Sequence, residues 1–252
     1  MKTLLSALAL ACGTLTAAAQ TTSAPVFKLN CQDGGWTSYK LMKNYCETRD
    51  LAFEAPAGQP LNVDADPNGG ITVHGWDGPD VRVRVKVQAW AATEEKATAR
   101  AKRITIGTAN NSLRATDPDK DKDWSVSYEI FVPRTTALAL NTVNGGISLD
   151  NLNSAITFET TNGGVNITLT GSKWEGKGLD VTTTNGGIHW KLPRTYSAQL
   201  YTSTNMGGIR TSLPVTKSGM FHKHVEASLG QGGAPVKAVT TNGGIDVDQG
   251  RD

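Results

Sequence analysis

The sequence predicts an all-β protein: a right-handed β-solenoid-like stack of strand–Asn-Gly-Gly–strand repeats, with one short helix in the N-terminal half. Three observations carry this. Asn144-Gly145-Gly146-Ile147 returns as Asn162-Gly163-Gly164-Val165, Asn185-Gly186-Gly187-Ile188 and Asn242-Gly243-Gly244-Ile245. Apolar residues alternate with polar ones on both sides of each copy. Only Thr93 to Arg103 has the cap and charge pattern of a helix.

Aligned on the first glycine, the copies share one register. Leu138, Ile156, Leu179, Leu200, Val225 and Val236 stand seven residues before it. Thr142, Thr160, Thr183, Thr204, Leu229 and Thr240 stand three before, and Ile147, Val165, Ile188, Ile209, Ala234 and Ile245 two after. This alignment includes two looser copies, Asn205-Met206-Gly207-Gly208 and Gln231-Gly232-Gly233-Ala234, with Met206 expected as an extra, bulge-like residue. Asn68-Gly69-Gly70-Ile71 is an early outlier. Steps of two give each strand one apolar face. The glycines are expected for their positive φ. Asn-Gly is also a hairpin signal. A hairpin, however, does not need the same Thr-x-Asn-Gly-Gly-Ile rewritten, whereas stacked corners put like residues in like environments. Right-handedness follows from the bias of parallel crossovers.

Taken in order, the chain divides at four levels. Residues 1–19 read as a signal peptide: Met1-Lys2, an apolar run from Leu4 to Ala11, and Ala17-Ala18-Ala19 as a cleavage site. The alternative, lipoprotein cleavage before Cys12, puts Ala9 where a Leu is usual. Residues 20–50 form a segment closed by a Cys31–Cys46 disulfide, the natural reading of an even pair in an exported chain. Residues 51–134 are a β region with one helix, capped by Thr93, with Glu94 and Glu95 at its start and Arg100, Lys102 and Arg103 at its end. Residues 135–252 hold the repeats. The Val81–Val87 strand alternates with Arg82, Arg84 and Lys86, expected as a wet, protective face. Loss of the leader leaves 24 basic residues (25 minus Lys2) against 23 acidic. That balance argues against nucleic acid or an anionic membrane as partner.

The order Cys31…Cys46-Glu47-Thr48-Arg49-Asp50, Asn68-Gly69-Gly70-Ile71-Thr72-Val73-His74-Gly75-Trp76-Asp77, the valine strand, the Ala-rich helix, Tyr128-Glu129-Ile130-Phe131-Val132-Pro133 and the repeats resembles the bacterial "putative adhesin" family of unknown function, with its toast-rack-like β-repeat heads. The resemblance runs from about Cys31 to the C-terminus. It implies an exported β-solenoid-like domain and supplies no catalytic residues.

Candidate chemistry is sparse. Asp64-Ala65-Asp66-Pro67-Asn68-Gly69 imitates an EF-hand opening, but Gly75 stands where the bidentate Glu belongs, so a structural turn is expected. Asp117, Asp119, Asp121 and Asp123 are expected as a solvated loop, calcium being the rival reading. His222 and His224 share an outer strand face, as do His74 and His189; the ordinary reading is surface histidine, the rival a transition metal. Trp174 is a candidate sugar platform. Asp150, Glu159 and Asp180 are the carboxylates that a glycosidase would need close together. The sequence thus predicts a non-enzymatic scaffold or binding surface with no catalytic, cofactor or metal residues. Its partner is an envelope protein or a glycan, with self-association at the stack ends as a further expectation. Secretion or periplasmic export goes with this. A carbohydrate-active enzyme and a self-assembling module are the alternatives.

Overall fold

The computed structural model describes residues 24–32, 42–215 and 223–250. The expected leader, Trp36 in the disulfide loop and His222 lie outside the described residues. In chain order, β1 (Lys43–Glu54) precedes β2 (Leu61–Asp64), β3 (Ile71–Trp76) and β4 (Asp80–Ala91). The helix α1 (Glu94–Arg103), β5 (Thr105–Gly107), β6 (Ser112–Thr116) and β7 (Trp124–Pro133) follow. Then come β8 (Leu138–Asn144), β9 (Ile147–Asp150), β10 (Ala155–Asn162), β11 (Val165–Thr168), β12 (Gly178–Asn185) and β13 (Ile188–Leu192). The chain closes with β14 (Ala198–Met206), β15 (Ile209–Thr211), β16 (His224–Leu229), β17 (Pro235–Asn242) and β18 (Ile245–Gln249).

These strands form two nine-stranded sheets. Sheet A runs β1-β4-β7-β3-β9-β11-β13-β18-β15, and sheet B runs β16-β14-β17-β12-β10-β8-β2-β6-β5. Each Asn-Gly-Gly corner passes the chain from sheet B to sheet A, so the two strands of a repeat do not pair with each other. They pair in parallel with the same strands of neighbouring coils, as Ile156 with Leu138 and Leu179, and Val165 with Ile147 and Ile188. The hairpin alternative is thereby excluded. Inward residues of both sheets form one apolar cluster that spans Leu61 to Val247.

The corners pile in a column, for a reason other than the one expected. Of the glycines in the stacked corners only Gly69 has positive φ, at 153°. The first glycine is required by its neighbour instead. A Cβ on Gly163 would sit 1.9 Å from the Gly145 carbonyl oxygen, and the same clash recurs for Gly145 on Gly69, Gly186 on Gly163, Gly243 on Gly186 and Gly207 on Gly243. The second glycine is looser: a Cβ on Gly164 would stand 3.8 Å from the nearest backbone oxygen.

Two ladders lock this approach. Thr142, Thr160, Thr183, Thr240 and Thr204, all buried, donate their hydroxyls to the carbonyls of Gly69, Gly145, Gly163, Gly186 and Gly243 at 2.8–3.0 Å. Asn144 donates its side-chain amide to Asn68, Asn162 to Asn144, Asn185 to Asn162 and Asn242 to Asn185, at 2.8–3.0 Å. The early outlier is therefore the column's end, where Gly69 and Asn68 accept from Thr142 and Asn144.

Four expectations are corrected. Met206 is not an insertion: it stands opposite Asn242 with Thr204 opposite Thr240, so it replaces the corner asparagine and ends the amide ladder, 70% exposed. Gln231-Gly232-Gly233-Ala234 is not a corner. It is a tight turn with positive φ at Gly230, Gly232 and Gly233, arching over the start of β14, where the Gln231 amide meets Ser197 Oγ at 3.2 Å. Space does not follow sequence either: the last coil, β17–β18, lies between β12–β13 and β14–β15, and β16 pairs antiparallel on the far side of β14. The polar Lys43–Asp50 stretch also belongs to a strand: β1 pairs along its full length with β4.

The helix forms as the sequence predicts. Thr93 Oγ1 accepts from the Lys96 amide at 3.4 Å, and Ala97 and Ala101 are its buried face. At its C-terminal end Arg49 donates to the carbonyls of Ala101 and Ile104, meeting the negative end of the dipole.

Gly163→Ala is expected to destabilise the fold by about 3 kcal/mol, the upper range for forced overpacking, and Gly164→Ala by about 0.5 kcal/mol or less. Thr183→Val keeps shape but orphans the Gly163 carbonyl and is expected to cost about 1–3 kcal/mol. Denaturant titration of the three variants checks the ranking.

Candidate binding surfaces

Period two fixes what each sheet shows to solvent. On sheet B one outward row reads Asn62, Ala139, Thr157, Asp180, Lys237, Tyr201. Its neighbour reads Asp64, Asn141, Glu159, Thr182, Val239, Ser203. Small residues at Ala139 and Thr157 leave a shallow trough of about 700 Å³ between the longer side chains. Ion pairs flank it: Arg114 with Asp64 at 3.4 Å and Lys237 with Asp180 at 3.3 Å. Glu159 stands exposed between them. Tyr201 and His224 stack at 6.1 Å beyond Lys237.

The three carboxylates considered for sugar chemistry do not meet. Asp150 is on β9 of sheet A, whereas Glu159 and Asp180 are on β10 and β12 of sheet B. The latter two are diagonal neighbours, offset by two residues and so about 7–8 Å apart at Cα. Trp174 is no sugar platform. It is 4% exposed and donates to the Ser154 carbonyl at 3.0 Å.

The acidic loop is not a free, solvated one. Arg103 takes Asp117 in a two-pronged contact at 2.8 and 3.0 Å and also reaches Asp119 and Asp121, at 2.9 and 3.1 Å. Arg100 reaches Asp121 at 2.9 Å and Asp123 at 3.5 Å, and donates to the Trp90 carbonyl. Two guanidinium groups thus sit where a calcium ion would be held, and the loop fastens the helix end to the sheet. Among the described residues no group of three or more His, Cys, Asp or Glu side chains is placed to hold a metal. The EF-hand-like stretch is a turn, with Asp64 Oδ1 accepting from the Asp66 amide at 3.0 Å.

On sheet A the basic strand is exposed only at Arg82 among its three basic residues. β4 lies inside the sheet, Lys86 and Gln88 are each 8% exposed on its outer face, and Arg84 makes a two-pronged bond to Asp50 at 2.7 Å. Nor is His74 an ordinary surface histidine. Its Nδ1 is 2.6 Å from Asp150 Oδ2, its Nε2 is 3.5 Å from Glu129, and its ring stacks on Phe131 at 4.7 Å. The Cys31–Cys46 disulfide is formed. His189 stands opposite Asp246, which Arg210 holds at 3.1 Å.

The Arg103 guanidinium holds the Asp117 carboxyl below its ordinary value. A folded-state carboxyl so depressed contributes stability above the ordinary carboxylate value, and the contribution is lost as pH falls through the folded value. Arg103→Met is therefore expected to lower the melting temperature at pH 7, and the gap from wild type is expected to close as pH falls toward 2. Melting curves across that range check the sign.

Among solved structures, a "putative cell adhesion protein" from Clostridium sporogenes matches with a TM-score of 0.60 at 13% identity, over 82% of this chain and 100% of that one. A "putative adhesin" from Bacteroides fragilis gives 0.32 at 11%, over 81% and 97%. A "putative lipid binding protein" from Parabacteroides distasonis gives 0.31 at 10%, over 82% and 97%. At such identities the first likeness bears on fold alone. No curated protein matches the chain. The Toastrack DUF4097 family model matches residues 125–248, from β7 through the last coil. Residues 125–248 are therefore similar to the Toastrack DUF4097 domain, and they fold as β repeats.

Proposed function

We propose that this protein is exported and works without catalysis, as an adhesin-like envelope scaffold that offers the trough of sheet B to an extended glycan or envelope protein. The observation that carries this reading is the regularity of that face. Six adjacent strands, β6 to β17, present hydroxyl, amide and charged groups in straight rows, spanning roughly 24 Å at the ordinary strand spacing. A surface of this kind matches a polymer lying across the strands, with Tyr201 and His224 as an aromatic end-stop. Export is supported by the disulfide, which belongs to oxidising compartments. No helix among the described residues is long and apolar enough to cross a membrane.

The competing reading, a polysaccharide-cleaving enzyme, draws on the Glu159–Asp180 diagonal, because inverting glycosidases separate their carboxyls by about 6.5–9.5 Å. In the proposed function Asp180, paired with Lys237 at 3.3 Å, serves as a binding group.

A glycan array and an envelope pull-down with the full chain are the test. The triple variant Asn141→Ala, Glu159→Ala, Asp180→Ala is expected to lose binding about tenfold or more, with the ligand recovered uncut. Depolymerised ligand, with cleavage abolished by Asp180→Asn, would overturn the non-enzymatic reading.

A further inference from the structure

Outside both sheets, residues 24–32 run over the outer face of sheet A. They are extended, with Pro25, Phe27 and Leu29 half-buried and Ala24, Val26 and Lys28 exposed. Among the described residues no strand pairs with them. The sheet holds them instead by a built clamp. The Glu129 side chain, 5% exposed, accepts the backbone amides of Lys28 at 2.8 and 3.1 Å and of Leu29 at 2.6 Å. Phe27 meets Phe131 edge-on at 5.3 Å, and Arg84 lies over the Phe27 ring at 4.8 Å.

A buried carboxylate is costly unless its lone pairs are filled. Here two of the donors are main-chain N–H groups, which any extended peptide offers. Selectivity comes from the aromatic notch, one residue ahead of the clamped pair. Besides these contacts, the segment is fastened through Cys31 to Cys46, which stands opposite Gln88 on β4. Such a tether raises the local concentration of a ligand without adding affinity.

We propose that the outer face of β3, β4 and β7 is a peptide-docking surface whose resident ligand is the chain's own residues 24–32, and that the same segment of a second copy docks there when the resident one is released. The required chemistry is an extended peptide with apolar side chains at alternate positions and Phe just before the clamped amides. This surface is on the opposite sheet from the proposed glycan trough and does not depend on it.

The test uses the full chain carrying Phe27→Ala, Cys31→Ser and Cys46→Ser, which weakens and unlocks the resident segment. Its native state is verified by near-ultraviolet circular dichroism. The probe is a fluorescent synthetic peptide of residues 24–32 with Cys31→Ser. The peptide is expected to bind saturably at micromolar concentration, and about tenfold or more weakly when it carries Phe27→Ala, a change that leaves the protein untouched. Adding Glu129→Gln to the protein is expected to abolish binding, and the disulfide-locked wild type to bind neither peptide. Absence of saturable binding, indifference to Phe27, or equal binding by the locked wild type would each overturn the proposal.

Discussion

At its corners this protein brings backbone against backbone. The first glycine of each pair lies so close to the carbonyl of the next coil that no side chain fits between them. That carbonyl, buried by the approach, is answered by one threonine hydroxyl, and the corner is closed on its outer side by one asparagine amide. Remove the approach and both donors lose their acceptors. Everything else in the stack follows from the common register imposed there. Aliphatic residues of successive coils meet in rows because the corners that precede them are aligned. The outer faces are rows for the same reason.

The repeat was legible because the close approach tolerates so few residues. Thr-x-Asn-Gly-Gly is a record of three contacts in space: a hydroxyl to a carbonyl, an amide to an amide, and a gap for a backbone. The physical cause was harder to read, since glycine serves left-handed turns and close approaches alike, and only the fold separates them. Order in space was not legible. Each coil presents the same Thr and Asn to either neighbour, so nothing in the sequence forbids β17–β18 from lying between earlier coils. The arch at Gly230–Gly233 decides it, and it imitates the repeat in spelling alone.

The outer surfaces were legible in pattern but not in partnership. Alternation placed His74 and Arg84 outward, yet gave no sign that residues 24–32 pack on this face. The missing information is long-range: about a hundred residues separate Glu129 from the amides it holds. Likewise Asp117 to Asp123 looked like a free acidic loop because Arg100 and Arg103 had been assigned to the helix dipole. Charges near one another in sequence were read as separate features. They are one clasp. The two sheets consequently differ in kind: sheet B leaves its rows open, and sheet A carries a third layer fastened by a carboxylate and a disulfide.

Amide hydrogen exchange at the column itself tests the account most directly. The Gly145, Gly163, Gly186 and Gly243 N–H groups donate to carbonyls of the adjacent coil at 2.9–3.1 Å, although each belongs to a glycine-rich corner near the surface. If the corners are stacked as described, these amides exchange only through global unfolding, as slowly as those of the central strands. Exchange at the rate of ordinary exposed turns would contradict the column, and with it the register on which both outer faces rest.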